Sequence, residues 1–126
     1  MSHFTKIKTK IIDKAVLFTV LKQLNCKIIE TNSISQNIQG QKIKIEFFVE
    51  LNPMHKIGFA RGKDGSYDII ADWWGVDKDL KKSFIRNIMQ NYSLEIISQE
   101  MKKKGYNIVE QKNIENNTIK VVLRKW

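Results

Sequence analysis

The sequence predicts an α+β fold, in which a mainly antiparallel β-sheet carries two helices on one face. Seven segments alternate apolar and polar residues with the period of a strand, and only two segments have helical spacing. Most of the strands are joined by short turns rather than by helices. The expected order is β-α-β-β-β-β-α-β-β, related to a ferredoxin-like split βαβ unit with an inserted hairpin.

The first strand and the first helix are predicted from the N-terminal segment. Residues 3–11 alternate as a strand does, and the lysines at positions 6, 8 and 10 fall on an outward, basic face. Asp13 is placed to cap the helix that follows. The apolar positions of that helix recur three and four residues apart: Val16, Leu17, Val20, Leu21 and Leu24.

The next two strands form a hairpin. Residues 27–34 and 41–51 have strand alternation, and residues 37–40 end in a glycine that favours a turn. The second of these strands has the clearest alternation. One face is expected to hold all of its odd apolar positions: Ile43, Ile45, Phe47, Val49 and Leu51.

A second hairpin is predicted around an Asp-Gly pair. Residues 57–61 and 66–73 are strands, and Asp64 and Gly65 lie between them. An Asp-Gly pair adopts the positive φ angles of a tight hairpin turn at low cost. The chain therefore reverses direction here.

A long helix is predicted over residues 78–104. Asp77 or Asp79 caps its start, and three lysines followed by Gly105 are typical of a helix C-terminus. Its inner side is expected to hold Leu80, Phe84, Ile85, Ile88, Met89, Tyr92, Ile96 and Met101. Two closing strands over residues 106–111 and 118–126 complete the fold.

Residues 1–126 are expected to form a single globular domain. The chain has one proline and no Gly/Ser-rich linker, and 42% hydrophobic residues suffice for one core. No run approaches the roughly 18 apolar residues of a membrane span, and the N-terminus lacks a signal peptide. A soluble protein without membrane insertion is expected. The single cysteine, Cys26, excludes an internal disulfide.

The charge favours nucleic acid as an alternative partner. The net charge is +9, and the excess lies at the two ends of the chain. Arginine, the better reader of phosphate, occurs only three times, and the abundance of Lys, Ile and Asn is typical of an A/T-rich genome. The candidate nucleic-acid residues are Lys6, Lys8, Lys10, Lys102, Lys103, Lys104, Arg124 and Lys125.

Aspartates in the middle of the chain are the candidate metal ligands. Asp64, Asp68 and Asp72 supply the oxygen atoms that Mg²⁺ and Ca²⁺ prefer. Ordinary local roles explain them better, because Asp64 suits the turn while Asp68 and Asp72 suit a solvent-facing side of a strand. No cofactor is expected.

The residue types needed for catalysis occur without a recognisable motif. The chain has no phosphate-binding loop, zinc-ligand spacing, nucleophile elbow or dinucleotide fingerprint. His3 and His55 would act with Cys26 or Asp72 only if the fold gathered them. The sequence therefore favours a non-enzymatic protein, with an enzyme that uses the 64–79 region as the remaining alternative.

Aromatic residues predict a docking patch. Trp73 and Trp74 are neighbours on a strand, so their side chains point to opposite faces, and one is free to be exposed. Tryptophan is enriched at interface hot spots. The exposed ring, together with Phe48 and Trp126, would form the patch, unless the helices or the last strand cover both rings.

Several segments together resemble one family. They are MSHFTKIKTKI at the start, IGFARGKDGSYDIIADWWG in the middle, and KKKGYNIVEQ with a terminal LRKW. These segments are similar to the plastid and cyanobacterial family called hypothetical chloroplast open reading frame thirty-five, whose function is unknown. The resemblance implies a plastid-encoded protein and supplies no catalytic residues. We therefore expect a small accessory or adaptor protein of the plastid stroma that contacts another plastid protein.

Overall fold

The computed structural model describes the backbone of residues 4–38, 40–114 and 118–125, and the side chains of residues 4–30 and 40–106. The order of its elements is the predicted one, and the α+β class is confirmed. The elements are β1 (Phe4–Lys8), α1 (Lys14–Gln23), β2 (Lys27–Ile38), β3 (Gln41–Asn52), β4 (His55–Arg61), β5 (Tyr67–Asp72), α2 (Lys78–Lys103), β6 (Tyr106–Ile114) and β7 (Thr118–Lys125).

The main sheet has five antiparallel strands in the order β1-β5-β4-β3-β2. Strands β2 to β5 follow one another as hairpins, and β1 adds to β5 with Phe4 opposite Asp72 and Lys8 opposite Asp68. β1 and β2 run in the same direction at opposite edges of the sheet, so β1-α1-β2 is a split crossover with three strands between its two strands. β6 and β7 pair in a separate sheet.

Both helices pack on the same face of the main sheet, as predicted. The rings of Phe47 and Phe59 stack at 4.9 Å between centroids, and the edges of Phe18 and Tyr67 meet Phe47. α2 contributes Ile88 to this cluster. The other members buried with them on this face are Ile11, Val16, Leu17, Val20, Leu21, Val49, Ile57, Ile69, Ala71 and Tyr92.

The prediction of one apolar face along β3 is wrong. Ile45 packs with Ile70 on the face without helices, and its methyl groups lie 3.0 and 3.1 Å from where a Cβ of Gly58 would be. Phe47 stacks on Phe59, the neighbour of Gly58, on the helix face. Ile45 and Phe47, which are two residues apart on β3, therefore point to opposite faces of the sheet.

A register shift coincides with this change of face. Glu30 of β2 pairs with Phe47 and Ile34 pairs with Ile45, so three residues of β2 lie opposite the single residue Glu46. Extra residues in one strand locally increase the twist of the pair. The Glu46 carboxylate lies on the helix face, where it accepts a hydrogen bond from Tyr67 Oη at 2.6 Å.

Side-chain caps fix where the two helices begin. Asp13 Oδ1 accepts from the Val16 N–H, and Asp77 Oδ1 accepts from the N–H groups of Asp79 and Leu80, so Asp77 rather than Asp79 is the cap of α2. α2 ends before Gly105, which has a φ of 83°. Within the described residues, no helix combines the length and apolar character needed to cross a membrane.

Candidate functional site

Two turns at one end of the sheet present exposed apolar side chains. Met54 lies in the turn between β3 and β4 and is 87% exposed, while Trp74 lies between β5 and α2 and is 77% exposed. These are the two most exposed large apolar side chains of the described residues. His55 joins the turns, because its Nε2 lies 2.8 Å from the Trp74 carbonyl oxygen. We call this pair the Met54–Trp74 patch.

Hydrogen bonds hold the backbone of the patch in place. Asn52 Oδ1 accepts from the Met54 N–H at 2.9 Å and lies 3.0 Å from His55 Nδ1. Asp72 Oδ1 accepts from the Trp74 N–H at 3.0 Å. Since His55 faces an acceptor on each side, both of its contacts form as hydrogen bonds when both ring nitrogens carry a hydrogen. The backbone beneath the patch is thus ordered before any partner binds.

Trp73 and Trp74 occupy different environments, but both follow the end of β5 at Asp72 rather than lying on the strand as predicted. Trp73 packs against the helix-face cluster and meets Phe84 edge-on at 6.5 Å between ring centroids. The Lys81 ammonium lies 5.2 Å from the centre of the Trp73 ring. Trp73 thus contributes to the packing of α2, and Trp74 is the exposed ring.

Of the other two aromatic residues of the predicted patch, the structure describes only Phe48. Phe48 is half-buried beside Ile45, on the face of the sheet without helices. Trp126 lies outside the described residues. Sequence reasoning missed Met54, although its position after Pro53 in a turn was a signal for exposure.

Asp64 and Asp68 have separate local partners. Asp64 Oδ1 accepts from the N–H and the Oγ–H of Ser66, and these hydrogen bonds lower the pKa of Asp64 below its usual value. Asp68 is 5% exposed, and its Oδ1 lies 3.9 Å from Lys8 Nζ. The expectation that Asp68 faces solvent is wrong. Asp68 shares a face of β5 with Ile70, which packs there with Ile45 and Ala60.

The remaining candidates for metal binding and catalysis are Asp72, His55, Cys26 and His3. Asp72 and His55 meet at Trp74, and both side chains contact main-chain atoms there. Burial raises the pKa of the Cys26 thiol, which disfavours the reactive thiolate. His3 lies outside the described residues. Among the residues that the structure describes, no three His, Cys, Asp or Glu side chains are arranged to hold a metal ion.

The basic residues form two groups. Lys6, Lys8 and Lys10 are exposed along and just after β1. Lys102, Lys103 and Lys104 are exposed at the end of α2, and the register of β6 with β7 brings the backbone of positions 124 and 125 back to Asn107 and Tyr106. The side chains of Arg124 and Lys125 lie outside the described part. Tyr92 of α2 accepts a hydrogen bond from the N–H of Ile12, in the segment that follows β1. Lys102 lies ten residues beyond Tyr92, which is about 15 Å farther along the helix axis.

Comparison with known proteins confirms the resemblance seen in the sequence. Residues 20–122 match the family described as "Protein of unknown function (DUF1257)". The chain is similar to the uncharacterized protein ycf35 of Cyanophora paradoxa, with 27% identity, and of Pyropia yezoensis, with 30% identity; each alignment covers 100% of this chain and 98% of the relative. The same protein of Guillardia theta is 28% identical over the same shares. No solved structure matches the chain.

All three relatives are uncharacterized proteins that match this chain along its whole length. Their names state no activity, ligand or partner. The family match covers most of the chain, including the elements that carry the Met54–Trp74 patch. The chain therefore belongs to the DUF1257 family of proteins of unknown function.

Proposed function

We propose that this chain is a non-enzymatic accessory protein of the plastid stroma that docks onto another plastid protein through the Met54–Trp74 patch. The observation that carries the proposal is the exposure of two large apolar side chains on turns joined by His55. Aromatic residues and methionine are enriched in protein interfaces, and tryptophan is frequent among residues whose truncation costs most affinity.

The energy available from this patch is large enough to matter. Burying most of a tryptophan ring removes on the order of 150 Å² of apolar surface from water and contributes about 3 to 4 kcal/mol. Ordering a flexible loop would oppose that gain. Here the Trp74 backbone is already held by Asp72 and His55, so the opposing term is small.

A pull-down with matched variants tests the proposal. The tagged chain, Trp74→Ala and Met54→Ala are incubated with nuclease-treated native plastid extract, and bound proteins are quantified by mass spectrometry. Leu80→Ala is the control, because it removes a 44% exposed apolar side chain from α2. We expect both patch variants to lose stoichiometric partners that the control keeps. An identical partner list for all four proteins would overturn the proposal, provided that circular dichroism shows them equally folded.

Nucleic-acid binding is a second candidate function, favoured by the basic end of α2. The exposed Lys102, Lys103 and Lys104 adjoin the strand end that carries positions 124 and 125. Neutralising several phosphates makes affinity fall steeply as salt rises. Fluorescence anisotropy with a labelled single-stranded RNA should therefore show weaker binding at higher salt.

A charge-matched control separates a site from general attraction to a basic protein. Replacing Lys102, Lys103 and Lys104 with Glu should abolish RNA binding. Replacing Lys22, Lys42 and Lys44 with Glu changes the net charge equally at exposed positions elsewhere. Equal loss in both triple variants, or binding that salt does not weaken, would exclude this candidate.

A further inference from the structure

A groove with an apolar wall lies between the end of β1 and α2, away from the Met54–Trp74 patch. Its volume is about 790 Å³, within the range of small-molecule sites. Met89, Ile96 and Ile97 of α2 supply the apolar side chains of one wall. Ile97 is 42% exposed, so apolar surface remains open to solvent there.

Internal hydrogen bonds hold the walls of this groove. Tyr92, which lines it, accepts at its hydroxyl oxygen from the N–H groups of Ile12 and Asp13, at 3.2 and 3.1 Å. Thr9 Oγ1 donates to the Tyr67 carbonyl oxygen at 2.6 Å. These bonds tie α2 to the segment that follows β1, and the end of β1 to the start of β5, so the groove is formed without a ligand.

The charges at the mouth of the groove favour a monoanion. Its lining contains two cations, Lys8 and Lys10, and one carboxylate, Asp64, while the Asp68 carboxylate beside Lys8 offsets the charge of that lysine. Asp64 Oδ1 already accepts two hydrogen bonds from Ser66. Lys8 lies near the carboxylate of Asp68, whereas Lys10 makes no ion pair with any residue in the described part of the chain. Lys10 is thus the cation best placed to meet an anionic ligand.

We propose that this groove binds a free, single-chain amphipathic carboxylate. The hydrocarbon tail lies along Met89, Ile96 and Ile97, where it removes apolar surface from water. The carboxylate lies at Lys10, and the Ser93 hydroxyl is a second hydrogen-bond donor in the lining. A carboxylate matches Lys10, the one cation of the lining without an ion pair in the described part of the chain, better than a doubly charged phosphate does.

Calorimetry with decanoate, below the concentration at which it forms micelles, tests this proposal. We expect saturable one-to-one binding of decanoate. 1-Decanol, which has the same chain length and no charge, should bind with at least tenfold lower affinity. Lys10→Glu should weaken decanoate binding at least tenfold, and Ser93→Trp should abolish it by filling the groove. The matched controls are Lys44→Glu and Gln99→Trp, which make the same changes at exposed positions outside the lining.

Several results would overturn the proposal. They are the absence of saturable binding, equal affinity for decanol, and equal losses in the groove variants and their controls. Binding to anionic lipid vesicles without binding to monomeric decanoate would also overturn it, because that result indicates a membrane surface as the ligand. Trp74→Ala should bind decanoate as the wild type does, which keeps this test independent of the docking proposal.

Discussion

The Nε2 atom of His55 lies 2.8 Å from the carbonyl oxygen of Trp74, although the two residues are 19 positions apart in the chain. This contact couples the turn after β3 to the loop that leads into α2. Both exposed side chains of the Met54–Trp74 patch depend on backbone that this imidazole holds.

Replacing His55 with Ala should loosen the loop of Trp74. The loss of the exposed contact with Trp74 and the partly buried contact with Asn52 is expected to lower the free energy of unfolding by about 1 kcal/mol, measured by urea denaturation. Amide hydrogen exchange at Val76, whose N–H bonds to the Trp73 carbonyl, should become faster. Lys56→Ala, at the next position, is the control. Unchanged exchange at Val76 in His55→Ala would contradict this coupling.

A methyl group at Gly58 should be costly because of Ile45. A Cβ there would lie 3.0 Å from Ile45 Cδ1, 3.1 Å from its Cγ2 and 3.3 Å from the Ile70 carbonyl oxygen. Gly58→Ala is expected to lower the free energy of unfolding by about 1 to 3 kcal/mol. Adding Ile45→Val removes the nearest methyl group, so the double variant should lose less than the sum of the two single losses. Strict additivity in urea denaturation would show that the two sites do not interact.

Tyr67→Phe should change how stability depends on alkaline pH. Burial, together with the neighbouring Glu46 carboxylate, raises the pKa of Tyr67 above its usual value. Folding therefore favours the protonated phenol, and this stabilisation is present below about pH 10 and is lost as the pH rises towards the folded-state value. The variant should be less stable at pH 8, by about 1.5 to 3 kcal/mol, because the bond to Glu46 is gone.

The sign of this effect can be checked in the same titration. Above about pH 10, the wild type should lose stability more steeply than Tyr67→Phe, so the gap between them should narrow. Tyr106→Phe is the tyrosine control. A constant gap between wild type and Tyr67→Phe from pH 8 to the alkaline limit would disprove the assignment.

Asp77 and Asp79 should differ in their effect on α2. Asp77→Ala removes the acceptor of two backbone N–H groups and is expected to cost about 1 kcal/mol of stability. Asp79→Ala removes only a charge in the first helical turn, worth about 0.3 to 1 kcal/mol at low salt. Thermal unfolding at 0.5 M NaCl should preserve the first loss and shrink the second. If salt reduced the two losses of stability equally, Asp77 would not be the cap of α2.

Local sequence patterns were sufficient to predict the order of the elements and the helix starts. The spacing of Val16, Leu17 and Val20 and the capping role of Asp13 are determined within one helical turn, and neighbouring residues carry that information. The change of face between Ile45 and Phe47 was not predictable. It coincides with extra residues in the paired strand β2. The alternation of apolar and polar residues within β3 does not indicate that β2 has these extra residues.

The candidate site was predicted only in part, because contacts between segments that are distant in sequence also determine it. Parity along a strand predicted different environments for Trp73 and Trp74, whereas both residues follow the end of β5, where Trp73 packs against Phe84 of α2 and Trp74 is exposed. Met54 belongs to the patch only because His55 spans two turns that are distant in sequence. Burial of Asp68 likewise depends on an apolar cluster assembled from several strands.

The placement of β1 has a consequence for the order of folding. β2 to β5 close as successive hairpins, whereas Thr5 meets Ala71 across 66 positions, which carries a larger entropy cost of loop closure. We therefore expect β1 to dock late, and substitutions in it to accelerate unfolding more than they slow refolding. The end of β1 also lines the groove between β1 and α2. A ligand bound in that groove would therefore slow the dissociation of β1 from the sheet.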